Sequence, residues 1–166
     1  MTEKYTIRPI EEADNQALFE LIQRILESYD LAKPGTAYFD PELGRLSFYY
    51  KAHKNAQYFV LTDSQGRVLG GVGIAPFTKG VCELQKIYLD ENLRGQGLGK
   101  KLLKTALDFA KEHYQTVYLE THSTLKEACA LYETCGFVWL DKPHVNSPHS
   151  EMDIWMQNNL ASEEEK

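Results

Sequence analysis

Apolar positions along this chain switch between a period near 3.6 and a period of two, and each switch marks a new element. Ala17, Leu18, Leu21, Ile22, Ile25 and Leu26 recur at helical spacing and fade at Ser28-Tyr29-Asp30. Asp14 stands in front of them as a fair N-cap. The spacing predicts a helix there, after a short strand at Tyr5–Pro9. Tyr58–Thr62 and Val68–Phe77 read as strands joined by a turn at Asp63-Ser64-Gln65-Gly66. A further strand, 81–89, follows the turn at Lys79-Gly80. Leu98, Leu102, Leu103, Ala106, Leu107, Phe109 and Ala110 then mark a long amphipathic helix. Val117–Thr121 is the next strand, before a helix holding Ala128 and Tyr132. Phe137–Leu140 and Met152–Gln157 are the last strands, with a loop at 141–150 between them.

Two stretches break the pattern. Gly70, Gly71 and Gly73 interrupt a strand, which predicts a bend or a close backbone neighbour. The segment 31–57 is aromatic, with Tyr38, Phe39, Phe48, Tyr49 and Tyr50. It has a turn at Lys33-Pro34-Gly35, and Asp40-Pro41 looks like the N-cap and first position of a short helix.

Gly95, Gly97 and Gly99 alternate just where the long helix should begin. A glycine inside a helix costs about 1 kcal/mol relative to alanine. Here the glycines suit a loop whose backbone approaches a ligand and points N–H groups at it. Such N–H groups beside a helix N-terminus attract anions, phosphate above all. Residues 94–100 therefore predict a phosphate-bearing ligand. A Walker A loop does not fit, because Gly99-Lys100 is followed by Lys101 and Arg94 stands where the first glycine belongs. A dinucleotide fingerprint fails because Lys100 takes the place of its third glycine.

The pattern that fits is Arg/Gln-x-x-Gly-x-Gly/Ala, at Arg94, Gly97 and Gly99, directly after a strand. It resembles the acyl-CoA pyrophosphate loop of the GNAT (GCN5-related) N-acetyltransferases. Ala128-Cys129-Ala130-Leu131-Tyr132, running into Gly136-Phe137, is similar to that family's second signature. The two come in the right order with a strand between them, and the resemblance spans roughly 4–157. It implies a GNAT fold of class α/β (α+β), with a mixed, mostly antiparallel central sheet flanked by helices on both faces. The domain is expected at 4–157, with a frayed acidic tail at 158–166.

Bulk properties agree with one folded domain. The chain has 166 residues, 43% hydrophobic and 25% charged, enough for a real core. Its net charge of -6 argues against nucleic acid as a partner. No apolar run approaches the roughly 18 residues of a spanning helix, and no N-terminal signal is evident, so no membrane partner and a cytoplasmic location are expected. Cys82, Cys129 and Cys135 lack metal spacing and read as reduced packing residues; the five histidines form no spaced cluster either. No metal site is expected. Lys101, Lys104 and Lys111 read as a solvated helix face.

The resemblance implies transfer of an acetyl group from acetyl-CoA to a primary amine, by direct attack in a ternary complex. It places the cofactor on Arg94, Gly95, Gln96, Gly97, Leu98, Gly99 and Lys100, and its pantetheine amides on the strand edge at Ile87, Tyr88 and Leu89. In the family this strand splays from its neighbour at 117–121, and a backbone N–H near Ile87 serves the thioester oxygen. An alkylamine, with a lysine-like pKa near ~10.4, must lose a proton before attack. Glu83 is the candidate base, directly or through water, with Glu120 a weaker one. Tyr132 matches the family's tyrosine acid for the departing thiolate. Many members carry Asn where this chain has Leu125, which puts that one CoA contact in doubt. His122, His144 and His149 are not expected to be catalytic. By the same resemblance, 31–57 shapes the acceptor side and dimers are common. A small-molecule amine is the expected acceptor; a protein or peptide amine, or a non-catalytic acyl-CoA sensor, is the alternative.

Overall fold

The computed structural model describes residues 4–144 and 149–160. Pro148 of the expected loop and residues 161–166 of the expected tail lie outside the described residues; the tail does not begin at 158, because the last strand runs to Asn159 and the Leu160 N–H bonds the Gln115 carbonyl. In chain order the strands are β1 Tyr5–Pro9, β2 Gln57–Asp63, β3 Val68–Thr78, β4 Val81–Leu89, β5 Thr116–Thr121, β6 Val138–Leu140 and β7 Ile154–Asn159. The helices are α1 Asn15–Ser28, α2 Leu46–Lys51, α3 Leu98–His113 and α4 Lys126–Thr134. The strands form one seven-stranded sheet in the order β1-β2-β3-β4-β5-β7-β6. All pairs are antiparallel except β4 with β5, which α3 connects as a crossover.

The sheet buries both faces, as period-two strands with apolar residues on either side require. On β2, Tyr58 and Val60 pack toward α1 and α2, while Phe59 and Leu61 pack toward α3 and α4. In α3, Leu102, Leu103, Ala106 and Ala110 are fully buried. Each buried leucine contributes roughly 1.5–3 kcal/mol, more than the ~1 kcal/mol that Gly99 costs inside a helix. Packing, not propensity, holds this helix. Cys82 and Cys129 are buried and all three cysteines are free, as packing residues should be.

Two local expectations are corrected. Asp14 does not cap α1 through its side chain. Its carboxylate accepts two N–H bonds from Arg8, at 2.8 and 2.9 Å, and a third from the Glu11 backbone. A bidentate pair with a guanidinium is a stronger partner than a helix N–H. Asp40 likewise does not begin a helix at Pro41. It ends a 3-10 turn, Ala37–Phe39, and its carboxylate is taken by Lys86 and His149. The short helix starts later, at Leu46.

Strand β4 is irregular on both of its sides. It pairs with β5 only at Val81–Thr116, Cys82–Val117 and Glu83–Tyr118, then runs on to Leu89 alone on that side. On its other side Gly71 pairs with Tyr88 and Gly73 with Gln85, so Lys86 and Ile87 together face the single residue Val72. This is a β-bulge. Lys86 sits in it with φ of 50°, a left-handed conformation uncommon for a side-chain-bearing residue.

Candidate active site

The gap that opens between β4 and β5 is continued by α3 and α4 into two adjoining cavities. The larger, about 280 Å³, runs along Ile87, Tyr88 and Leu89 to the glycine loop. Arg94, Gly95, Gly97, Leu98, Gly99 and Lys100 line its far end. Of the residues expected to hold the cofactor, Gln96 alone is absent from this wall; its side chain points to solvent. Gly95 and Gly97 have φ of 82° and 77°, and Gly97 is the N-cap of α3. Only glycine takes that conformation without strain. Gly99 takes no left-handed conformation, and its bare backbone lies beside Leu131 of α4, 3.4 Å from where a methyl group would sit. The first α3 backbone N–H to find a helical acceptor is that of Lys101, on the Gly97 carbonyl. The N–H groups before it have no acceptor within the helix. Arg94 lies over the Tyr29 ring, 5.5 Å from its centroid, with Glu127 3.8 Å from its Nε.

The smaller cavity, about 80 Å³, lies deeper in the gap, against Glu83, Gln85, Lys86 and Glu120. Ile87, Tyr88, Leu125 and Tyr132 line both cavities, so the two meet at these residues. Tyr132 is only 4% exposed. Burial pushes its phenol well up, and its hydroxyl has no hydrogen-bond partner among the described residues. It is a neutral O–H donor in the shared wall. Leu125, where many family members carry Asn, presents an apolar side chain at the same junction.

Glu83 is held by one bond, accepted from Gln85 Nε2 at 2.7 Å. Burial is the main reason its carboxyl lies above the usual range; Gln85 opposes this, and repulsion from Glu120 adds to it. A raised carboxyl is a better proton acceptor near neutral pH than an ordinary one. Glu120 accepts from the Tyr118 hydroxyl at 2.8 Å through Oε2, while its Oε1 is buried without a partner among the described residues. Neither carboxylate is in an ion pair among the described residues. Charge in the cavity is otherwise balanced. Lys86 Nζ lies 2.7 Å from Asp40 and 3.7 Å from Glu42, and is itself only 5% exposed.

A roof covers this cavity. Asp40 accepts from His149 Nε2 at 2.9 Å, joining the 31–45 segment to the segment that leads into β7. The same two segments are joined by the Glu151 N–H on the Gly35 carbonyl and by Lys33 with Glu151 at 3.7 Å. Leu31, Thr36 and Ala37 of the 31–57 segment reach the cavity wall. The segment's aromatic residues do not; Tyr50 is buried next to the wall, with its hydroxyl on Gln85. His144 lies off the cavity, its Nε2 2.9 Å from Gln157, and His122 bonds Thr124. Among the described residues no His, Cys, Asp and Glu group is placed to hold a metal ion.

Several of these residues carry no motif. Lys86, Asp40 and His149 come together across distances that the sequence does not mark. Gln85 had a signal, since it lies two residues from Glu83 on the same face of a strand.

A family model, Acetyltransferase (GNAT) family, matches residues 16–137. The uncharacterized N-acetyltransferase YjgM of Escherichia coli (strain K12) is 38% identical over 152 residues, covering 89% of this chain and 90% of that protein. A GNAT-family acetyltransferase from Staphylococcus aureus Mu50 superimposes with a TM-score of 0.85 at 20% identity, over 95% of this chain and 99% of the other. A phosphinothricin acetyltransferase of the same superfamily from Sinorhizobium meliloti, solved in complex with AcCoA, gives 0.72 at 21% identity, over 95% and 89%. The chain belongs to the GNAT family and is an N-acetyltransferase. Its fold is the GNAT fold.

Proposed function

We propose that this enzyme transfers the acetyl group of acetyl-CoA to the primary amine of a small molecule, by direct attack while both substrates are bound. The observation that carries the reading is Tyr132, a phenol without a hydrogen-bond partner among the described residues, in the wall shared by a long groove and a small polar cavity. The groove suits the co-substrate. The N–H groups at Gly95–Lys100 receive its pyrophosphate, and the free side of β4 at Ile87–Leu89 offers backbone groups to its pantetheine amides. One structural neighbour is named as a complex with AcCoA, which supports the assignment.

The cavity suits the acceptor. At about 80 Å³ it takes the slender end of an amine and little more. Its roof, fastened by Asp40–His149 and Lys33–Glu151, favours a small molecule over a protein chain. Glu83 and Glu120 face it without an ion pair among the described residues, Lys86 and His149 being held by Asp40, so an arriving ammonium is electrostatically welcome. Glu83 accepts the proton that must leave before attack. The amine nitrogen bonds the acetyl carbon, the carbon–sulfur bond breaks, the Tyr132 hydroxyl gives its proton to the leaving sulfur, and the surplus proton on the new amide nitrogen leaves through solvent to restore the phenol. A backbone N–H near Ile87 faces the oxygen that gains charge. No helix among the described residues is long and apolar enough to cross a membrane, and a cytoplasmic enzyme is our reading.

Thiol release measured with acetyl-CoA and a panel of small amines tests the proposal. Release that depends on the amine and collapses in Glu83→Gln is the expected result. Release that is independent of any amine would replace transfer by hydrolysis, and none at all would leave the site without this chemistry.

A further inference from the structure

The glycines of β3 have a consequence two strands away. A methyl group on Gly71 would collide with the Tyr58 ring, and one on Gly73 with the Tyr50 hydroxyl and the Tyr58 ring. Their bare backbone is what lets two buried tyrosines pass across β3 and reach β4 with their hydroxyls. Tyr50, from α2, is 1% exposed and Tyr58, from β2, is 0%. Their rings lie 5.3 Å apart. Tyr58 donates to the Lys86 carbonyl at 2.7 Å, at the bulge itself. Tyr50 donates to Gln85 Oε1 at 2.6 Å, and Gln85 Nε2 donates on to Glu83 Oε1 at 2.7 Å.

We propose that Tyr50 and Gln85 are positioning residues for Glu83: Tyr50 fixes which way the Gln85 amide faces, and Gln85 holds the Glu83 carboxylate toward the acceptor cavity. An amide has two unlike ends. A carboxylate offers no N–H or O–H, so the amide's nitrogen end must face Glu83 and its oxygen end must meet a donor. The Tyr50 hydroxyl is that donor. Burial holds its phenol far above neutral pH, so it stays protonated. No proton moves along the chain. Its effect is to keep one hydrogen bond on the charged form of Glu83. The importance of this alignment for turnover rests on the reading of Glu83 as the base.

Other groups facing Glu83 set the background. They are Glu120 and Tyr118 from β5, Lys86 and Cys82 on β4, His149 from the roof, and, beside Tyr50 on α2, Tyr49, whose hydroxyl also meets the Gln85 side chain. None of them occupies the Gln85 amide's place between Tyr50 and Glu83.

The test is a carbon-detected NMR titration of the Glu83 side-chain carboxyl, assigned by Glu83→Gln, in the substrate-free protein. Tyr50→Phe and Gln85→Leu should each raise its pKa by about one unit, the worth of one hydrogen bond to a charged group. The double variant should move no further than Gln85→Leu alone, because Tyr50 acts through Gln85. Gln85→Met serves if Gln85→Leu does not give a folded spectrum. An unmoved pKa in Gln85→Leu, or a double variant that adds a second full shift, overturns the relay. The acid limb of kcat/KM should follow the same shift, with acetyl-CoA affinity unchanged within about twofold. If the NMR pKa moves and the kinetic limb does not, the relay stands and the base assignment falls. If Glu83→Gln abolishes the limb while the NMR pKa of Gln85→Leu stays put, the base stands and the relay falls.

Discussion

Glu83 pairs with Tyr118 on the last rung that joins β4 to β5. Below that rung the sheet is continuous; beyond it the strands part around both cavities. The candidate base thus sits at the apex of the gap, and the Tyr132 phenol stands in the wall between groove and cavity. Sheet geometry sets where Glu83 lies, and α4 carries Tyr132 to the junction of the two cavities.

Tyr132→Phe removes one hydroxyl and keeps the ring that packs on Phe137 at 5.7 Å. Loss of a general acid typically costs 10²–10⁴ in rate. We expect kcat to fall by about 10²-fold while acetyl-CoA affinity changes little. Steady-state kinetics with calorimetric titration checks this, and unchanged turnover would remove Tyr132 from the chemistry.

Gly73→Ala places a methyl group against the Tyr50 hydroxyl and the Tyr58 ring, both on fully buried residues. Overpacking of this kind costs about 1–3 kcal/mol. Urea denaturation should show the loss. Gly66→Ala, whose added carbon meets nothing within 4 Å, carries only the strain of a φ near 80° and should lose less. Equal losses would mean that the crowding around Gly73 is relieved elsewhere.

The interruption of β3 by glycines was legible in the sequence as a close neighbour, but not which neighbour. The same split runs through the molecule. The alternation of strands and helices, and the placement of the loop at 94–100 before α3 and of Tyr132 on α4, were legible because each rests on local spacing or on a contiguous motif. Asp14 and Asp40 look like helix caps for a local reason, but Asp14 serves Arg8 and the Glu11 backbone and Asp40 serves distant partners instead. Asp40 meets Lys86 from 46 residues away and His149 from 109. The bulge at Lys86 is invisible for the same cause. Its left-handed backbone is held by the Asp40 ion pair and the Tyr58 hydroxyl, neither of which is near it in sequence.

The Asp40–His149 bond makes the roof's contribution to stability depend on pH. Asp40 lies below the usual carboxylate range; burial opposes this, and the bonds from His149 and Lys86 outweigh it. Its share of stability is present above an unfolded pKa near ~3.9 and is lost as pH falls through the lower folded value. His149 is raised, burial again opposing and the Asp40 bond prevailing. Its share is complete below an unfolded pKa near ~6.5 and is lost as pH rises through the higher folded value. Both are complete together between roughly pH 4 and 6.5. The Tm deficit of His149→Gln should be largest in that window, about 2–4 °C if the pair contributes near 1 kcal/mol. It should shrink by pH 9. A deficit that does not change with pH would mean that charge on His149 does not stabilise the roof.

The central claim is that acetyl-CoA binds along β4 with its pyrophosphate on the loop at 94–100. Calorimetric titration of acetyl-CoA into the wild type and a Gly97→Glu variant tests it most directly. The glutamate brings a negative charge and a side chain to a position whose φ of 77° suits neither. Micromolar binding by the wild type, weakened by at least about tenfold in the variant, is the predicted result; a tenfold loss corresponds to about 1.4 kcal/mol. No binding by the wild type, or equal binding by both proteins, would contradict it.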